Sequence, residues 1–217
     1  MLVILWKDLQ LELRKKERLS SAFVLALLIV LVFVFALDVE KLGQPKIVAS
    51  FLWISLLFSG MLSFPRAFQI EEERNCMAGL LLSPIDAGSL YLAKFLGNVC
   101  VLCLVGTTIV PITLVLVGLG FSFCWMSLGL VLFLGIVGLS ALGTSFGAIA
   151  VRTSAGEAIL PIMLLPLLVP LLLAVVNVTG AVLVQEIWTG PWFRVLVAFD
   201  VIFVVTGWLT FDAIVRE

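Results

Sequence analysis

From Phe95 through Val151 the chain carries no aspartate, glutamate, lysine or arginine. A helix crossing a bilayer takes about 20 apolar residues. The run is too long for one crossing and long enough for two. Its middle, Gly118-Leu119-Gly120-Phe121-Ser122-Phe123-Cys124-Trp125, offers glycines for a turn and a tryptophan suited to a membrane interface. Four more uncharged runs follow the same rule: Leu19 to Leu37, Ile47 to Pro65, Ala158 to Gln185, and Val195 to Phe211 with only Asp200 inside it. The composition agrees, at 63% hydrophobic and 12% charged residues. A soluble domain has about 25% charged residues and could not hide so much apolar surface.

Lipid offers no hydrogen bonds to the backbone, so only helices and closed barrels cross it. Barrel strands alternate apolar and polar residues, whereas these runs are apolar on every face. The reading is therefore an all-α integral membrane protein with six transmembrane helices in a single membrane domain over 1–217. The spans are expected at about 19–37, 47–64, 95–117, 127–150, 158–180 and 195–213, with a loop over 65–94.

Lysine and arginine counts orient such a protein. With the N-terminus inside, Lys7, Arg14, Lys15, Lys16, Arg18, Arg66, Arg74, Lys94, Arg152 and Arg216 all fall on the inner side. Only Lys41, Lys46 and Arg194 fall outside. Both termini are thus expected in the cytoplasm. Leu2, Leu5, Trp6, Leu9 and Leu13 share one helical face among charged residues. Residues 1–18 are accordingly expected to form an amphipathic helix on the inner membrane surface. The charged start mixes both signs and leads to no small-residue cleavage site, so it is expected to remain in the mature chain.

The chain has no histidine, so it can supply no imidazole to a metal or to heme iron. No catalytic and no metal-binding residues are expected. Cys100 and Cys103 fit C-x-x-C but lie inside an uncharged run, where cysteine behaves as a small hydrophobe. There is no phosphate-cradling loop, and no basic stripe that would suit nucleic acid. Gly143 and Gly147 form a G-x-x-x-G pair for close helix packing, within the chain or between chains. Pro161, Pro166 and Pro170 point to a bent or locally unwound fifth span. Trp188 and Trp192 read as an interfacial belt or, less simply, as a contact for an outer-face partner. Asp200 is an acid within a span, near enough to its end to meet interfacial water or Arg194.

The charges missing from the spans gather in FPRAFQIEEER, Phe64 to Arg74. A plain connector is a few residues long, so a loop over 65–94 calls for a further role. After Pro65 a short amphipathic helix is expected, with Phe68 and the stem of Arg66 on one face and Glu71, Glu72 and Glu73 toward the cytoplasm. Arg66, Phe68, Glu71, Glu72, Glu73 and Arg74 are the candidate contacts for a cytosolic partner.

At these residues the chain resembles the CcmB family, the membrane subunits of the ABC-type complex of cytochrome c maturation. The likeness rests on Trp6-Lys7-Asp8-Leu9 with Glu12, Arg14, Lys16 and Glu17, on Phe64-x-Arg66 and the acidic run to Glu73, and on Gly79-Leu80-Leu81-Leu82-Ser83-Pro84 running to Lys94. Ala67 and Ala93 depart from the acid and the glycine expected there. The resemblance implies a permease of the ABC-2 type in the bacterial inner membrane, two copies per complex, paired with a CcmA-type ATPase. It also implies the membrane partners CcmC and CcmD and the heme chaperone CcmE. On that reading the chain is no enzyme and binds no cofactor. ATP sits on the partner subunit, the complex handles heme, and the 65–94 loop couples the two. Export of heme and release of the heme-loaded chaperone both fit. An ABC-2 permease for a lipid, drug or polysaccharide, or a secondary transporter, are the other readings.

Overall fold

A computed structural model describes residues 6, 17–37, 43–73, 87–118, 124–152 and 156–216. Their regular structure is helical throughout: α1 (Glu17–Ala36), α2 (Pro45–Ser63), α3 (Arg66–Glu73), α4 (Ala87–Val117), α5 (Trp125–Arg152), α6 (Gly156–Leu183) and α7 (Pro191–Arg216). All but the short α3 are long and apolar enough to cross a membrane, which makes six spans among the described residues. The expected surface helix over 1–18 lies outside the described residues, except for exposed Trp6 and for Glu17 and Arg18, which open α1.

The helix ends follow local chemistry. Pro45 and Pro191 stand at the first positions of α2 and α7. A missing N–H costs nothing there, and the fixed φ suits the helix. Gly118, at φ 71°, ends α4 in the left-handed region within the turn expected from sequence. Gln185, at φ 59°, ends α6 the same way without being glycine. Its N–H donates to the Val182 carbonyl (3.2 Å) and that of Glu186 to the Ala181 carbonyl (2.9 Å). These are the paired bonds of a Schellman cap, and they offset the steric cost of the left-handed residue.

Helix α4, which contains the expected third span, begins at Ala87. At 1.5 Å per residue its 31 residues reach about 46 Å, beyond a hydrocarbon core of about 30 Å. The loop expected over 65–94 therefore contains α3 and the first two turns of α4, and residues 74–86 lie outside the described residues. Of the two forms expected for the fifth span, bent or locally unwound, the second is not seen: α6 is helical through Pro161, Pro166 and Pro170. Each proline removes one helical N–H, but backbone bonds on either side keep the helix going.

Packing is uneven around the bundle. α5 lies against α3, α4, α6 and α7, while α2 lies against α1, α4 and α6. α2 is the most enclosed span, and α1 and α7 the least. α1 meets the bundle through Ala22, Ala26 and Val30, one helical stripe of small side chains. Its opposite stripe, Val24, Leu28, Val32 and Phe35, is exposed and suited to lipid. In lipid, close packing and interhelical hydrogen bonds hold helices together. Both occur deep in the core, where the Trp53 indole N–H on α2 donates to Thr179 Oγ1 on α6 at 2.9 Å.

Candidate functional site

The site begins at the corner between α2 and α3. Phe64 keeps helical dihedrals, and its N–H donates to the Gly60 carbonyl at 2.8 Å. Pro65 then starts a new turn, in which the Phe68 N–H donates to the Pro65 carbonyl at 3.0 Å. Phe64 is fully buried on α5, over Gly143 and Gly147. A Cβ added at Gly143 would run into the Phe64 ring, and one at Gly147 would lie 2.9 Å from the Phe64 carbonyl oxygen. The G-x-x-x-G pair is thus the seat for this corner, within the chain.

α3 is pinned on several sides. Phe68 is 0% exposed, with its ring 6.2 Å from that of Phe211 on α7. Lys94 of α4 places its ammonium 5.5 Å from the centre of the Phe68 ring and donates to the Ala67 carbonyl at 2.7 Å. Tyr91, one turn earlier on α4, lies 5.4 Å from Phe211 ring to ring and donates to the Ala141 carbonyl of α5 at 3.2 Å. Arg66 reaches back to α1, donating to Ser21 Oγ at 2.7 Å. Phe68, read from sequence as part of a contact surface, instead points inward and anchors α3. Glu71, Glu72 and Glu73 form the end of α3, where only the backbone is described, and Arg74 lies outside the described residues.

Beside this corner runs a polar chain that sequence reasoning missed. Arg18 donates through Nε to Ser63 Oγ at 2.7 Å and through Nη2 to Asn98 Oδ1. Asn98, wholly buried in α4, donates to Thr144 Oγ1 of α5 at 2.8 Å, and Thr144 donates to the Ser140 carbonyl at 2.7 Å. Ser59 of α2 donates to the Ala22 carbonyl of α1 at 2.8 Å. Four helices are joined by hydrogen bonds that include a guanidinium, and these are stronger than neutral ones. The available signal was Asn98 itself, an amide in a long apolar run. Nothing local names its partner, which lies 80 positions away.

At the opposite end Trp188 is half-buried and meets Phe193 edge-on at 5.2 Å, while Trp192 is exposed. Cys124 is exposed at the start of α5. Hydrogen bonding to Ser127, chiefly from its backbone, and to the Met126 backbone holds the Cys124 thiol below its ordinary pKa. Asp200 is buried in α7.

Six apolar spans tied together by interhelical polar bonds, with a short helix pinned at one end, define a multi-pass membrane protein. The chain belongs to the CcmB family, whose model, described as CcmB protein, matches residues 1–217. It is similar to a heme exporter protein B of Haemophilus influenzae, 26% identical over 83% of this chain and 81% of that one. A heme exporter protein B of Rhodobacter capsulatus is 28% identical, over 80% of this chain and 79% of that one.

Proposed function

We propose that this chain is the membrane subunit of a heme exporter complex of the bacterial inner membrane, acting in cytochrome c biogenesis. Family membership and the two heme exporter relatives support the first part. We further infer that α3 is the docking element for a separate ATPase subunit of the CcmA type, with CcmC, CcmD and CcmE as further partners. The observation that carries this is a short helix ending in three glutamates yet anchored by Phe68 and Lys94. A push on such a helix is passed to α4 and α7 instead of being lost in a slack loop. The chain has no phosphate-cradling motif and no histidine, so nucleotide chemistry and any imidazole ligation of heme fall to partners. Its own work is mechanical, whether the outcome is heme export or release of a heme-loaded chaperone.

The test is charge reversal of Glu71, Glu72 and Glu73 to lysine. One exposed ion pair contributes only about 0–1 kcal/mol, so all three are changed together. Membrane insertion should persist, because added inner-side positive charge favours the same topology. Co-purification of the ATPase and cytochrome c maturation should both fall. Normal ATPase retention together with normal maturation would remove α3 from this role.

A further inference from the structure

We propose that Asp200 is a proton-binding site built into the seam between α5 and α7. Asp200 is only 6% exposed, and neither carboxyl oxygen has a hydrogen-bond partner. Its Oδ1 faces Gly138 of α5, where an added Cβ would lie 2.6 Å from that oxygen and 2.8 Å from Leu171 Cδ1 of α6. The absence of a side chain at position 138 is what admits the carboxyl group. The other described polar atom left unpaired and buried, Ser140 Oγ, sits two positions along α5 from Gly138, about 200° around that helix. It does not share the site.

The surroundings decide the ligand. An isolated carboxylate in apolar surroundings is far costlier than the neutral acid. A counter-charge would relieve it, but among the described residues none faces it. α5 has no charged residue from Trp125 to Val151, and α6 none from Pro161 to Leu183. On α4 the titratable groups are Tyr91, Lys94, Cys100 and Cys103. Tyr91 is bonded to Ala141, and Lys94 to Ala67 beside Phe68. On α7 itself, Arg194 is exposed and about 9 Å away along the axis, and Asp212 is exposed three turns further on. Gly138 and Leu171 pack beside Oδ1, and a proton neutralises the carboxylate without needing further space. It leaves Oδ for water only when water enters the seam, so its release is tied to separation of α7 from α5.

The experiment uses the full chain in lipid nanodiscs. The infrared difference spectrum between wild type and Asp200→Asn is recorded at neutral pH. It should contain the carbonyl stretch of a protonated carboxylic acid, present in wild type and absent from the variant. Carboxylate bands in its place would overturn the proposal. Asparagine matches the neutral acid in shape, so the variant should fold. Above the ordinary aspartate pKa of about 3.9 the thermal stability of wild type should fall as pH rises, because the native state then holds a proton that the unfolded state lacks. Asp200→Asn should lose that slope, and equal slopes would also overturn the proposal. If the variant does not fold, wild type labelled with carbon-13 at its aspartate carboxyls gives the reading directly. A protonated-acid band shifted by the label supports the site, and its absence rejects it.

Discussion

The ring of Phe68 on α3 stands 6.2 Å from the ring of Phe211 on α7, both fully buried. A helix of eight residues is thereby joined to the last span of the bundle. Phe68→Ala and Phe211→Ala should each destabilise the purified protein by about 3 kcal/mol, as large-to-small changes in packed cores do. The double variant should cost less than the sum, because each ring is part of the other's surroundings. Chemical unfolding in detergent measures both. Strict additivity would mean that the rings do not act on each other.

Gly143 should tolerate no side chain. Gly143→Ala drives a methyl group into the Phe64 ring, whereas Gly97→Ala adds one where nothing lies within 4 Å. Overpacking costs about 1–3 kcal/mol. Gly143→Ala should lower the thermal midpoint, while Gly97→Ala should leave it unchanged or raise it slightly through better helix propensity. Equal midpoints would show that Phe64 is not held on α5.

Asn98→Leu removes both the acceptor for Arg18 and the donor to Thr144. Losing a hydrogen bond to a charged group costs about 1.5–3 kcal/mol. A double-mutant cycle with Arg18→Ala should return a coupling in that range. A coupling near zero would mean that α1 and α4 are held by packing alone.

Cys124 gives a test of orientation without an engineered cysteine. With both termini inside, it faces outward and should react with a membrane-impermeant maleimide in intact cells, a signal lost in Cys124→Ser. Hydrogen bonding lowers its pKa. Its thiolate therefore forms at lower pH, and labelling should rise with a midpoint below the value of about 8.5 for a free thiol. Failure to label until the membrane is opened would reverse the topology.

The number of spans and the helical class were legible in the sequence because lipid enforces them locally. A backbone with no water to bond must satisfy itself within the segment, so an uncharged run of sufficient length settles the matter. The turn at Gly118 and the short helix after Pro65 were legible for similar reasons: both rest on the backbone preferences of one or two residues. The site was legible in part. The stretch from Arg66 to Glu73 stood out by its charge, but the inward turn of Phe68 did not. The spans are apolar on every face, so periodicity cannot tell which side meets lipid and which meets another helix. Only the tertiary structure brought Phe64 onto Gly143, Arg18 to Asn98 and Asp200 to Gly138. Each of those contacts joins residues distant in sequence, and each depends on the shape and polar partners of another helix, which no local pattern records.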